Sequence, residues 1–165
     1  MKKTNQSPSA KSTPATFVNF ENARYNDQVA VMAQSEKDGV CPFCLEQIAK
    51  YHQEPIEWEG KYWIVTKNAW PYVHTKTHLM AISKEHYEDV RSLVPEAAAE
   101  LFQALNWAIE TYQIPGGALA LRFGDTEYSA ASVKHLHAHI IHSDIHHPDY
   151  AKKPVKFKIG FYKKV

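Results

Sequence analysis

The stretch "VKHLHAHIIHS", Val133 to Ser143, constrains this chain more than any other. His135, His137 and His139 alternate there with Leu136, Ala138 and Ile140. Strict alternation is the period of a strand with one face on a core. On such a strand the histidines share the face opposite the apolar set. Core packing alone does not explain imidazoles at every second position. A metal ion, a bound phosphate or a nucleophile each would.

A strand of this kind needs neighbours and a covering layer. At 165 residues the chain is long enough for one domain with a real core. The turn at Asp38-Gly39 leads into "CPFCLEQIAKYHQ", where Cys41, Cys44, Leu45 and Ile48 fall on one side of a short helix. Glu59-Gly60 separates two aromatic and β-branched runs, which predicts a hairpin with strands near 55–58 and 61–66. "THLMAIS", 77–83, reads as a strand with His78, Met80 and Ile82 on one face. "PEAAAELFQALNWAIETYQI" is the clearest helix, with Pro95 in its first turn and Pro115-Gly116-Gly117 after it. Its expected inner stripe is Ala98, Leu101, Leu105, Ala108 and Tyr112, flanked by Phe102 and Ile109. "ALALRF" and "SVKHLHAHIIHS" follow as strands joined by a polar loop. Residues 17–38 carry no clear period. Paired strands around one long helix predict an α+β fold with a mainly antiparallel sheet.

Charge and hydropathy exclude several functions. A net charge of +1 gives no global footprint for nucleic acid. No run approaches the roughly 20 apolar residues of a membrane span. Residues 1–16, rich in Ser, Thr, Pro and Lys, predict a flexible tail, leaving 17–165 as a single domain. That tail lacks the apolar stretch of a secretory signal, so a reducing, cytoplasmic setting is expected. The tail "VKFKIGFY" alternates Lys with apolar residues and reads as a last edge strand, with an arm as the alternative. Lys156 and Lys158 on it are also placed to contact an anion. Among Trp58, Trp63, Trp70 and Trp107, one is a candidate for stacking on a base, and the rest suit the core.

Cys41-Pro-Phe-Cys44 has two common meanings, half of a zinc site or a thiol–disulfide centre. A redox dithiol of the glutaredoxin kind follows a hydrophobic strand, whereas here "QSEKDGV" precedes it as a turn. A zinc site needs two further ligands, and with no second C-x-x-C histidines must supply them. His135, His78 and His86 are the candidates. For the alternating histidines, a catalytic metal site of the cupin kind usually adds a Glu shortly afterwards. "IIHSDIHHPD" has none. The other reading is phosphoryl or nucleotidyl transfer, in which a neutral imidazole with a fixed tautomer attacks phosphorus.

At "HLHAHII" the sequence resembles the histidine triad (HIT) superfamily of nucleotide hydrolases and transferases, whose signature is H-φ-H-φ-H-φ-φ. The upstream "CPFC", the segment "THLMAISKEHYEDV" and the strand "LALRFGD" extend the likeness over about Cys41 to His142. The resemblance implies a five-stranded antiparallel sheet with helices, often paired as a homodimer, and a small nucleotide as substrate. It implies His137 as the nucleophile that forms a covalent nucleotidyl intermediate at the α-phosphate, oriented by the carbonyl of His135. It also implies His139 and His78 as catalytic and phosphate-binding, and structural zinc on Cys41, Cys44, His86 and His135.

Some positions depart from the family pattern. Ala131 stands where many relatives have a glutamine before the triad, while Ser132 matches their Ser/Thr and is placed to serve the leaving group. Arg122 stands where a relative often has Asn near the ribose or phosphate, and adds a positive charge. The expected function is therefore nucleotide hydrolysis or nucleotidyl transfer. The alternatives are a nucleotide-binding or scaffold protein with little turnover, kept open by Ala131, and a C-x-x-C oxidoreductase.

Overall fold

The computed structural model describes residues 16–160. The expected N-terminal tail, Thr16 apart, lies outside these residues.

Its centre is an antiparallel five-stranded sheet: β1 (Ile56–Glu59), β2 (Trp63–Lys67), β3 (Thr75–Ser83), β4 (Ala118–Arg122) and β5 (His137–Ser143), in the order β1-β2-β3-β5-β4. The α+β architecture read from the sequence is the one observed. The predicted hairpin is there, displaced by one or two residues. β3 begins two residues earlier than expected.

One face of the sheet carries Trp63, Val65, Leu79, Ala81, Ala138 and Ile140, all buried under α3 (Pro95–Tyr112). The inner face of α3 is Ala97, Leu101, Ala104 and Ala108. This is rotated from the expected stripe: Ala98 is exposed, as are Phe102 at 60% and Ile109 at 39%. Small alanines bring the helix close to the sheet, and the bulkier residues turn outward. α3 ends at Tyr112, where Gln113 adopts a left-handed conformation, before the Pro-Gly-Gly run. Glu100 is also on the buried side. Its carboxylate accepts from the backbone N–H groups of Lys61, Tyr62 and Trp63 at 3.1, 2.7 and 3.0 Å, which fixes the β1–β2 turn to the helix. Those donors offset the cost of burying the charge.

The other face holds Ile64, Met80 and Ile82 against Ile48 of α2 (Leu45–Tyr51). Cys44 is the N-cap of α2 and Cys41 precedes it in a turn, so the cysteines are not on the helix as expected. Residues 17–38, which show no period, contain α1 (Asn26–Asp38), closed by Gly39 at φ 69°. Its buried positions are Gln28, Met32 and Ser35, two of them polar, which hides the helical pattern. The polar loop before β5 contains a single helical turn, α4 (Thr126–Ser129). No helix among the described residues is long and apolar enough to cross a membrane.

Two further expectations are corrected. The strand "SVKHLHAHIIHS" begins only at His137, so His135 lies before β5 in a bend. The edge strand expected at 155–162 does not form over its described residues. There the chain runs as an arm whose Phe157 packs on Tyr72 and His139, at centroid separations of 6.0 and 5.8 Å. Its side chain is held by rings, and its backbone joins no ladder.

Candidate active site and metal cluster

Strand register brings the site together. In the β3–β5 pair His139 lies opposite Met80 and His137 opposite Ile82, so these side chains share a face. His78 lies opposite Ile141, within diagonal reach of His139. On the other side of β5, Arg122 of β4 is opposite His137. His78, His137, His139 and Arg122 are all buried. His137, His139, Arg122 and Ser132 help to line one cavity, and His78 lies behind His139. Val31, Met32, Phe43, Tyr51 and Met80 give it apolar lining.

Backbone groups set the tautomers. The ring of His137 has Nδ1 2.6 Å from the carbonyl oxygen of His135. A carbonyl only accepts, so Nδ1 carries the proton and Nε2 keeps its lone pair. The N–H of Tyr72 donates to Nδ1 of His78 at 3.0 Å, which puts the proton of a neutral His78 on Nε2. That nitrogen lies 3.0 Å from Nδ1 of His139 and donates to it. The proton of His139 is then on its own Nε2. The outcome is one imidazole with a bare nitrogen beside another that presents a donor.

Burial keeps these rings neutral. It pushes His137 down to about 4, against the pull of the His135 carbonyl and aided by the Arg122 charge. It pushes His78 down to about 3, with Arg24 and His137 adding to it. His139 is held well below the ordinary imidazole range by the same burial, then by the histidines and arginines around it.

Ser132 accepts a long hydrogen bond, 3.4 Å, from the amide of Gln28. Ala131 is buried and offers only its carbonyl, which accepts from the Asn22 amide at 2.9 Å. Sequence reasoning did not single out Asn22, Arg24 and Gln28, which line the same cavity, nor Asn68 and Tyr72. They come from a stretch with no readable period or from loop residues around Trp70-Pro71. Trp70 lines the cavity too, whereas Trp63 is in the core and Trp58 packs on Trp107.

On the far side of the triad segment, Cys41, Cys44, His86 and His135 bring one ligand atom each within 4.8 Å of the others. Nδ1 of His135 is 3.4 Å from the Cys41 sulfur and 3.9 Å from that of Cys44, and Nδ1 of His86 is 3.4 Å from Cys44. The S···N edge of a tetrahedral zinc site is roughly 3.6 Å, from the usual bond lengths. Nε2 of His135 donates to the Ser83 carbonyl at 2.7 Å, leaving Nδ1 free to ligate. Nε2 of His86 faces Glu88 at 3.5 Å in the same manner. Donor chemistry, spacing and outer partners fit a tetrahedral metal ion. His78, a candidate ligand by sequence, instead bonds to His139 of the triad.

A family model described as the HIT domain matches residues 58–146, more than half of the chain. The chain belongs to the HIT family. No curated protein matches it by sequence. Among solved structures, the HIT domain resembles a HIT family hydrolase from Clostridium thermocellum: 25% identity, TM-score 0.53, covering 66% of this chain and 94% of that one. A hypothetical protein from Leishmania major has 22% identity and TM-score 0.55, covering 76% of this chain and 83% of its own. A histidine triad nucleotide-binding protein from Candida albicans has 14% identity and TM-score 0.54, covering 76% and 85%. The last two bear on the fold alone. The matched HIT segment holds the triad, His78, His86 and Arg122. Both cysteines, α1 and the arm with Phe157 lie outside it.

Proposed function

We propose that the site hydrolyses or transfers a nucleotidyl group at the α-phosphate of a small nucleotide, through a covalent intermediate on His137. The observation that carries this reading is the 2.6 Å contact from His137 Nδ1 to the His135 carbonyl, which leaves a neutral Nε2 as nucleophile. In this reading Nε2 bonds to phosphorus as the bond to the leaving group breaks, and Ser132 donates to the departing atom. His139 Nε2–H donates to a phosphate oxygen, and His78 holds His139 in that tautomer. Water then attacks the phosphorus and frees the nucleoside monophosphate. The apolar lining of the cavity suits a nucleobase.

Zinc is the metal proposed for Cys41, Cys44, His86 and His135. When bound, it ties the start of α2 and the segment after β3 to the residues before β5, and touches no substrate. The oxidoreductase reading is disfavoured, because both cysteines converge with His86 and His135 on one point, as metal ligands do. The exposed Phe102 and Ile109 and the open edge of β4 support a homodimer, to be checked by sedimentation.

The test is turnover of adenosine phosphoramidate by the wild type and His137→Ala. Turnover that is lost in the variant supports the reading. Tight nucleotide binding without turnover by the wild type supports a binding protein instead, the reading that the apolar Ala131 keeps in play.

A further inference from the structure

The chain has three arginines, and their surroundings differ. Arg91, on the surface, pairs with Asp89 at 2.8 Å. Arg24 and Arg122 have no carboxylate within ion-pair distance among the described residues, and both line the triad cavity. Arg122 is only 8% exposed. A guanidinium that is buried without an anion is costly, and its usual reason is an anion bound in function.

Tyr72 joins the two. Arg24 stacks over its ring, Cζ 4.2 Å from the centroid, and Nη2 of Arg122 donates to its hydroxyl at 3.3 Å. The same ring lies 4.6 Å from His78 and 6.0 Å from His139. Phe157 of the arm covers the Arg122 guanidinium at 3.9 Å, a cation–π contact that shields it from water. The carbonyls of Trp70 and Ser129 hold one nitrogen each of Arg24 and Arg122. Among the described residues, neither guanidinium makes a further hydrogen bond.

We infer that Arg24, on the ring of Tyr72, and Arg122, at its hydroxyl, form a second anion position beside the triad, which binds the phosphate beyond the one attacked. The substrate class this assigns is a nucleotide with a phosphoanhydride bond, such as a nucleoside diphosphate or a longer polyphosphate. The inference rests on the nucleotidyl-transfer reading and deepens it. His137 Nε2 bonds to the α-phosphorus while the bond from that phosphorus to the bridging oxygen breaks. The electron pair departs on that oxygen with the leaving phosphate, whose charge the two arginines hold. Water then cleaves the phosphorus–nitrogen bond, giving a nucleoside monophosphate and a proton. Arg24 is thus a specificity-determining residue, supplied from outside the HIT segment.

The test compares kcat/KM for adenosine diphosphate and for adenosine phosphoramidate, which has an amine leaving group, in the wild type, Arg24→Ala, Arg24→Lys and Arg122→Gln. Removing one charged donor should lower the diphosphate-to-phosphoramidate ratio about tenfold to a hundredfold. Arg24→Lys should recover part of it, since it keeps the charge but not the fork. Arg24 is exposed at the mouth, so its variants remain informative if Arg122→Gln does not fold. An unchanged ratio in Arg24→Ala, or an equal loss on both substrates, would overturn the inference. If the wild type turns over neither substrate, the transfer reading fails by itself. The ratio of ADP to AMP affinity in the same variants then decides the anion position: it falls in Arg24→Ala if the position exists and stays constant if it does not.

Discussion

Truncating His78 to alanine removes a side chain on which two polar groups depend. The Tyr72 N–H donates to it at 3.0 Å, and His139 Nδ1 accepts from it at 3.0 Å. The nitrogen of His139 is buried and has no other partner in reach, so stranding it costs about 1–3 kcal/mol. With the small void left beside Tyr72, the loss of stability is about 2–4 kcal/mol. The effect on rate is separate. Without a donor at Nδ1, His139 can carry its proton on either nitrogen, so the donor aimed at the phosphate is present in only part of the molecules. Losing such a donor outright costs about a hundredfold to a thousandfold. Partial loss should therefore lower kcat about tenfold to a hundredfold, with a smaller change in KM. His78→Gln, whose amide can accept from Tyr72 and donate to His139, should recover part of both losses. Steady-state kinetics with adenosine phosphoramidate and urea unfolding measure the two effects. A folded His78→Ala protein with kcat within about twofold of wild type would refute the tautomer argument.

Three further outcomes are expected. Glu100→Ala strands three backbone N–H groups at the β1–β2 turn; with water re-solvating the exposed ones the cost should be about 3 kcal/mol by urea unfolding, and a loss below about 1 kcal/mol would show that the turn holds without it. Acid should weaken the fold through His78: the unfolded chain takes up a proton below about pH 6.5, while the native ring, pushed down to about 3, refuses it, so the stability present above pH 6.5 falls by up to about 1.4 kcal/mol per pH unit until about 3. That slope should be shallower in His78→Gln, and an identical slope would remove His78 as its cause. Protein purified without chelator should hold about one zinc per chain by elemental analysis, and Cys41→Ser should lower both zinc content and thermal stability. A zinc-free, equally stable wild type would contradict the metal assignment.

The readable parts of this molecule are those where side-chain chemistry follows backbone period. β3 and β5 alternate cleanly because one face lies on α3 and the other on the cavity, and α3 shows its period because its inner face is apolar over several turns. α1 was hidden because it buries Gln28 and Ser35, polar residues that break the apolar stripe of its inner face. The arm misled for the opposite reason. Its Lys and apolar alternation mimics an edge strand, yet Phe157 is fixed by a guanidinium and two rings. The triad was visible as a pattern, but the proton positions that would make it a nucleophilic site were not. They depend on the carbonyl of His135 and the N–H of Tyr72, groups that the sequence does not mark. Arg24 escaped notice for a related reason: a single arginine in an unstructured-looking stretch says nothing until the fold sets it over Tyr72.

The central claim is that His137 forms a bond to phosphorus. Its most direct test is intact and peptide mass spectrometry of the protein caught during turnover of adenosine phosphoramidate. The quench should be alkaline, because a phosphorus–nitrogen bond to histidine is lost in acid. The account predicts an added mass of one adenylyl group, located on the peptide that contains His137 and absent from His137→Ala. Turnover with no adduct in the wild type, or an adduct that persists in His137→Ala, would contradict it.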